Sequence, residues 1–242
     1  MRVEPYTVGS FVHVIKRGGR GMPIVKDESD KWRFLRSLYY LNDEYFNEDW
    51  ANIYYKERPV SQTNRSVASA QEKLFYRPSG WPKRKPLVRI HAVTLVLNHF
   101  HLLLEEIKEG GVSLFMQKLG QSMTNHHNEK YHCIGSLFQG SFKSKTVDTD
   151  TYMSRLAVYI MVKNTFEVYD GGLDKAKENF DDAWEWSIKY PFSSLGDYAG
   201  DRKSPIVDTS FLKKFIGAPA EFKKLTRAIM SEEYWEDKVY IE

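Results

Sequence analysis

The chain has 242 residues, of which 42% are apolar and 28% charged, a composition typical of a soluble globular protein and not of a disordered one. This length allows one large domain, or a core with an insertion and a tail. The single cysteine, Cys133, excludes an intrachain disulfide and a cysteine-based zinc site. The N-terminal residues lack an apolar leader, and polar residues interrupt the apolar stretch 92–104. We therefore expect a cytoplasmic protein without a membrane segment.

The net charge is only +3, but charge is unevenly distributed along the chain. Between residues 56 and 89, nine Lys or Arg residues stand against two Glu, with aromatic residues among them. Between 167 and 201, nine acidic residues stand against three Lys. A basic, aromatic stretch is typical of a nucleic-acid contact, because cations meet phosphates and rings stack on unpaired bases. A solvated loop is the alternative.

In the first part of the chain, the patterns predict a strand, a helix and an insertion. Residues 11–18 alternate apolar and polar side chains and meet a glycine-rich turn, which predicts a strand. Helical spacing predicts a first helix over residues 30–43, with Asp27 and Ser29 before it. Residues 47–86 show no sustained period, which predicts a loop or insertion.

The remaining elements predict an α+β fold. Two β-rich runs, 87–96 and 99–107, indicate an antiparallel hairpin, and helical spacing follows over 112–131. A short strand is expected within 138–147, followed by a helix over 151–166 that Asp148, Thr149 or Asp150 could cap. Further helices are expected at 210–216 and 219–230. This order predicts helices packed against an antiparallel sheet.

His99 and His101 are the first candidates for chemistry. Residues two apart on a strand point to the same face, so both imidazoles could bind one divalent cation. Such a cation can polarise a phosphoryl oxygen. Taken alone, the pair could equally be two histidines at the edge of a core.

The surrounding residues add a family resemblance. The segment LVLNHFHLLLEE, with Asn98-His99-Phe100-His101, resembles the HUH motif, and more narrowly that of single-tyrosine HUH transposases, including the REP-associated tyrosine transposases. Val96-Leu97 stands where Met-Pro is typical. Segments 11–25, 136–160 and 190–198 resemble other parts of the family in the same order, so the resemblance covers roughly residues 8–198 apart from the insertion.

The resemblance implies a fold, an enzyme and a substrate. The fold would be an HUH endonuclease core with a ferredoxin-like antiparallel sheet, over residues 8–175, with a basic insertion at 47–86 and an acidic helical extension at 176–242. The protein would cleave and rejoin single-stranded or hairpin DNA, as a monomer or homodimer, through a covalent 5′-phosphotyrosine. Mg²⁺ or Mn²⁺ would be held by His99 and His101.

Tyr159 matches the family's nucleophilic tyrosine. Arg155 and Lys163 stand four residues before and after it, which would surround the phenol with cations. A cation favours the phenolate, the competent nucleophile, over the phenol.

The chain departs from the family at the third metal ligand. The family has Gln or Asn one helical turn after the tyrosine, whereas this chain has Lys163 there and Asn164 one residue later. A lysine ammonium cannot bind a metal. Either a local shift of the helix brings Asn164 into the site as a third ligand, or water or substrate completes the shell, or cleavage is impaired.

Four cations are candidates for DNA contacts: Arg17 and Arg20 near the glycine turn, and Lys143 and Lys145 before the tyrosine helix. Surface residues without a partner are the alternative for these four, and the remaining histidines, His13 among them, are expected at the surface or at core edges. Two other functions remain open: a DNA-binding relative that has lost cleavage, which Lys163 motivates, and a structural metal protein unrelated to DNA.

Overall fold

The computed structural model describes residues 6–45, 47, 49–52, 75, 77–78, 80–232 and 235. Its sheet has four strands: β1 (Phe11–Arg17), β2 (Val88–Leu95), β3 (His99–Glu106) and β4 (Lys143–Thr146). Their order is β2-β3-β1-β4, and every neighbouring pair is antiparallel. Together with the helices described below, this arrangement confirms the expected α+β class.

Helices α1 (Glu28–Tyr40) and α2 (Gly111–Tyr131) connect strands that are not neighbours in the sheet. The order strand, helix, two strands, helix, strand gives two split β-α-β units, in which a third strand lies between the two that each helix joins. This is the ferredoxin-like topology. The predicted first strand, first helix, hairpin and second helix are all present, with ends within a few residues of those expected.

Capping side chains define where two of the helices begin. Asp27 caps α1: its carboxylate accepts from the Asp30 backbone N–H at 3.0 Å, and the Asp30 carboxylate receives the Asp27 N–H in return. Thr149 caps the helix that begins at Asp150 by accepting from the Tyr152 N–H. Of the three candidate caps for that helix, Thr149 is therefore the one used.

The two faces of the sheet carry different helices. Val12, Val14, Phe100 and other residues of one face pack with α1 and α2 in one apolar cluster. The opposite face is covered by α3, which comprises Asp150–Val158, a π-helical turn, Tyr159–Lys163, and a last turn, Asn164–Phe166. Because side chains alternate along a strand, the residues between those of the first face point toward α3.

The C-terminal part is helical, and its buried apolar residues belong to the same cluster as those of α3. Its helices are α4 (Gly172–Glu178), α5 (Phe180–Lys189), α6 (Leu195–Ala199), α7 (Ser210–Ile216) and α8 (Pro219–Met230). The predicted helices 210–216 and 219–230 are thus confirmed. Residues on both sides of position 175 contribute to one apolar cluster, and a division of the chain there stays a prediction. Within the described ranges, no helix has the length and hydropathy that crossing a membrane requires.

Much of the predicted insertion, including residues 53–74, lies outside the described residues. Residues 80–86 contain no helix or strand, as expected of a loop. Arg77 pairs with the buried Asp43 at 2.8 Å, and the Arg84 guanidinium lies 4.5 Å from the ring centroid of Tyr39. These two cations of the basic stretch therefore contribute to the fold itself.

Candidate active site

The His pair lies at the start of β3 and faces α3. His99 stands opposite Arg17 and His101 opposite Ile15 across the β1–β3 ladder. The two imidazole rings are 5.0 Å apart between centroids and nearly perpendicular. His101 is buried, with 2% of its surface exposed, whereas His99 is partly exposed. The pair thus lies on one sheet face, as the two-residue spacing predicts.

Hydrogen bonds orient both rings through the same nitrogen. Nδ1 of His99 lies 2.7 Å from the Asn98 side-chain oxygen, so this nitrogen donates. Nδ1 of His101 lies 2.9 Å from Nε2 of His13. The Nε2 atom of His101 is buried and has no hydrogen-bond partner among the described residues. A buried lone nitrogen next to a second imidazole is an arrangement that suits a bound metal ion.

His13 is the residue that sequence reasoning missed. It lies on β1, diagonal to His101 across the ladder, and is fully buried. Its ring stacks at 5.2 Å on that of His101, and its other nitrogen lies 3.5 Å from the Tyr152 hydroxyl. The expectation that His13 lies at the surface or at a core edge is therefore wrong, because the strand order brings β1 directly beside β3.

The three histidines share one electrostatic property. Burial, followed by the charge of Lys145, lowers the pKa of His13 to about 3. Burial, with Arg17 and Lys163 nearby, lowers the pKa of His99 to about 4. Burial, reinforced by the neighbouring histidines, holds the pKa of His101 well below its usual range. All three imidazoles are therefore neutral at pH 7, the state that metal binding requires.

Tyr159 faces this cluster from α3. Its ring lies 5.2 Å from that of His101 and 6.2 Å from that of His13, edge to face in both cases. Only 3% of the Tyr159 surface is exposed. The structure thus brings together the predicted tyrosine and the predicted histidine pair.

Tyr159 begins the π-helical turn, in which the Asn164 N–H bonds to the Tyr159 carbonyl. Such a turn carries one residue more than an α-helical turn and often marks a functional site. Side chains from neighbouring segments bind its carbonyls: the Thr94 hydroxyl donates to that of Ile160, and the Ser193 hydroxyl donates to that of Met161 at 3.2 Å. The turn is therefore supported by β2 and by the segment after α5.

That supporting segment is the Pro-aromatic-Ser-Ser stretch, Pro191 to Ser194. Its backbone bonds to β2, from the Leu95 N–H to the Phe192 carbonyl and from the Ser194 N–H to the Val93 carbonyl, both at 2.9 Å. The segment that resembles the end of the family core thus extends the hydrogen bonding of β2 beside the tyrosine turn.

Lys163 and Asn164 both follow Tyr159 at the far end of the π turn. The Lys163 ammonium lies 4.9 Å from the centroid of the Tyr159 ring and forms a 2.7 Å ion pair with Glu167. Asn164 is fully buried, and neither atom of its amide has a hydrogen-bond partner in the part of the chain described. The π turn shifts the helix by one residue at this point, and Asn164 as a third ligand stays a prediction.

Three of the four predicted DNA-contacting cations rim this face. Lys143 and Lys145 are exposed on β4, opposite Ile15 and His13, and therefore point to the side of the histidines. Arg17 stands opposite His99. Arg20 is exposed in the glycine turn, with a left-handed backbone (φ 53°).

Of the two cations expected around the Tyr159 phenol, Lys163 lies beside its ring. Arg155 pairs instead with Glu232 near the C-terminus.

The C-terminal segment contacts the candidate nucleophile. The ring of Trp235 lies 6.3 Å from that of Tyr159, and Trp235 itself is buried. Through this contact and the ion pair between Arg155 and Glu232, two residues that follow α8 lie against α3. No sequence motif indicated this contact.

Comparisons with known proteins find one family and one solved structure that are similar to this chain. Residues 80–163 match the family described as "Transposase IS200 like". The matched range includes both histidines of the pair and Tyr159. A solved structure described as "Structure of the REP associates tyrosine transposase bound to a REP hairpin" is similar at 12% identity, with a TM-score of 0.44, over 87% of this chain and 94% of that chain. Comparison with curated proteins found no match.

Proposed function

We propose that this chain, whose residues 80–163 match the family described as "Transposase IS200 like", cleaves and rejoins single-stranded DNA with Tyr159 as the nucleophile. One observation carries the proposal: the Tyr159 ring packs edge to face against His101, whose Nε2 atom is buried without a partner among the described residues. A tyrosine nucleophile beside an imidazole nitrogen that can bind a metal ion suits attack on a phosphate.

In the proposed reaction, the Tyr159 oxygen forms a bond to the scissile phosphorus, and the bond from phosphorus to the 3′ oxygen breaks. The phenolic proton leaves to solvent, and the released 3′ oxygen takes up a proton. The product is a 5′-phosphotyrosine and a free 3′-hydroxyl. Attack on the phosphotyrosine by a 3′-hydroxyl would rejoin a strand and restore the phenol. The Lys163 ammonium beside the ring would favour the phenolate.

The residues present fit a divalent cation, Mg²⁺ or Mn²⁺. His99 and His101 would bind it through their Nε2 atoms, because both Nδ1 atoms are engaged in hydrogen bonds. When bound, the ion would neutralise charge on the phosphate oxygens. In the described part of the chain, no group of three or more His, Cys, Asp or Glu side chains is placed to hold a metal. The remaining ligands would be the Asn164 amide oxygen, water or the DNA itself.

Asn98 and His13 would position the two ligand rings. If His101 binds the ion through Nε2, its Nδ1 carries the proton and donates to His13 Nε2. The Nδ1–H of His13 would then point toward the Tyr152 oxygen. Partners of this kind fix the tautomer and orientation of a ligand imidazole.

The substrate would approach along the two exposed lysines of the same face and the half-buried Arg17. Lys143, Lys145 and Arg17 stand beside the histidines, where they could bind phosphates of a single strand. The resemblance to REP-associated transposases adds the expectation that this strand carries a hairpin next to the cleaved phosphate.

The direct test is covalent capture of DNA. Fluorescent hairpin-flanked single strands are incubated with the protein and Mn²⁺ and separated on a denaturing gel. The unaltered chain should give a slower protein–DNA band, which Tyr159→Phe and EDTA should abolish. Tyr169→Phe is a matched control, because Tyr169 is a tyrosine outside the histidine cluster. A band that persists in Tyr159→Phe would refute the assignment of the nucleophile.

A second candidate is a DNA-binding protein without cleavage activity, and Lys163 favours it because a buried ammonium near the histidine pair repels a metal ion. It predicts salt-dependent strand binding with no covalent band for the unaltered chain. Lys163→Gln would then be expected to strengthen Mn²⁺ binding, which calorimetry measures independently of cleavage.

A further inference from the structure

A groove lies on the sheet face opposite Tyr159, between α2 and the segment 136–142. Its volume is about 410 Å³. Lys16 of β1 lines it, and Lys16 points away from the histidine face because its neighbours Ile15 and Arg17 point toward it. The groove is therefore separate from the candidate active site.

Two kinds of side chain line this groove. The exposed amides of Gln117, Gln121 and Asn125 follow one another at four-residue spacing, so they stand in a row on α2. Facing them are the rings of Phe138, which is buried, and Phe142, which is half-buried. Amides donate and accept hydrogen bonds, as the edges of nucleobases do, and aromatic rings offer a surface for stacking.

Lys16 supplies a cation within the groove. Its ammonium lies 4.6 Å from the centroid of the Phe138 ring and donates to the Gly140 carbonyl at 3.0 Å. A Cβ at Gly120 would come within 3.1 Å of the Lys16 Cε, so glycine leaves the space in which the lysine stem lies along α2. Burial lowers the pKa of Lys16. A partly desolvated ammonium of this kind would gain from a phosphate.

The position of the groove connects it to the candidate active site. Lys16 and Arg17 are consecutive, and they place one cation on each face at the same end of the sheet, where the glycine turn follows. Arg17 stands opposite His99. A strand that rounds this end of the sheet would meet a cation on both faces.

We propose that this groove binds one unpaired nucleotide of the DNA substrate, with its base between the α2 amides and the Phe142 ring and its phosphate on Lys16. The inference rests on the proposed function, since it requires a single-stranded substrate. It would let the protein select a base at a fixed distance from the phosphate that Tyr159 attacks.

The test measures the affinity for single strands and the contact of a base with the groove in two separate experiments. Binding of fluorescein-labelled oligo(dT), oligo(dA) and oligo(dC) is measured by anisotropy with Tyr159→Phe protein, so that strands stay intact. The double change Gln117→Ala with Gln121→Ala should weaken binding of at least one homopolymer roughly tenfold. Leu114→Ala, an exposed residue of α2 that does not line the groove, should leave binding unchanged. Oligo(dT) containing 5-iodouracil should crosslink to Phe142 on irradiation.

The outcomes separate this inference from the function on which it rests. If strands bind but the double variant binds all of them like its parent, or if crosslinks fall only on the histidine face, the groove is not a nucleotide site. If the parent binds none of these strands, the groove is not a nucleotide site, whereas the proposed function is tested separately by covalent capture of hairpin-flanked DNA. Thermal melting of each variant checks that the fold is retained.

Discussion

The hydrogen bond between His13 and His101 leads to a quantitative prediction for metal binding. His13→Phe keeps a ring of similar shape in the buried position but removes the acceptor at 2.9 Å from His101 Nδ1. A hydrogen bond to a group polarised by a cation contributes about 1.5–3 kcal/mol, which corresponds to roughly a 10- to 150-fold loss of affinity. Loss of a partner of a ligand histidine has a similar typical cost.

Calorimetric titration with Mn²⁺ measures this loss directly. His13→Gln should retain most of the affinity, because the glutamine side chain can place an oxygen near the position of the imidazole Nε2. His127→Phe, at a partly exposed histidine on α2, serves as the matched control. The ¹⁵N shifts of His101 report the tautomer without metal, and only His13→Phe should change it. Folded His13→Phe protein that binds Mn²⁺ as tightly as the unaltered chain would refute the reasoning.

Three further predictions concern access and stability. Trp235→Ala should expose Tyr159 and raise the rate of covalent-adduct formation several-fold on the gel assay; an unchanged rate would mean that the contact does not limit access. Because His13 stays neutral when folded but gains a proton below pH 6.5 when unfolded, its stabilisation is complete above pH 6.5 and is lost as pH falls toward about 3. In urea titrations, the free energy of unfolding should fall by about 2 kcal/mol more between pH 7 and pH 5 in the unaltered chain than in His13→Gln; an equal decrease in both proteins would contradict this. Asp30→Asn weakens the 2.7 Å ion pair with Lys130 between α1 and α2 and should cost about 1–3 kcal/mol of stability, visible in thermal melting; an unchanged midpoint would show that the pair contributes little.

The sequence predicts most of the secondary structure because local patterns determine it. The β2–β3 hairpin follows from two β-rich runs joined through Leu97-Asn98, and α7 and α8 begin and end where helical spacing predicts. The strand expected within 138–147 is shorter, since only Lys143–Thr146 pairs with β1 as a regular strand and Phe138 forms an isolated bridge to Gly18. Glycine and serine residues between them do not sustain a strand.

Without the family resemblance, which added Tyr159 on α3, the site was predictable only where its parts lie within one element. His99 and His101 share a face because they are two apart on β3, and this needs no knowledge of the fold. The contact of His13 with His101 depends on strand order, which places β1 beside β3 although 88 positions separate the two histidines. The contact of Trp235 with Tyr159 depends likewise on tertiary packing, since 76 positions separate the two residues.

The extra residue in the π turn divides α3 into two segments with different rotational phase. Each residue of an α-helix turns the chain by about 100°, so the side chains after Lys163 are rotated by about that amount from where uninterrupted α spacing would place them. One helical wheel therefore cannot describe both segments, and residues 156–166 are buried on every side. Deleting one residue within the turn would restore a single phase and move Asn164 to the position four residues after Tyr159. The identity of the side chain beside the tyrosine is thus determined by the length of one helical turn as well as by the residue type at a fixed position.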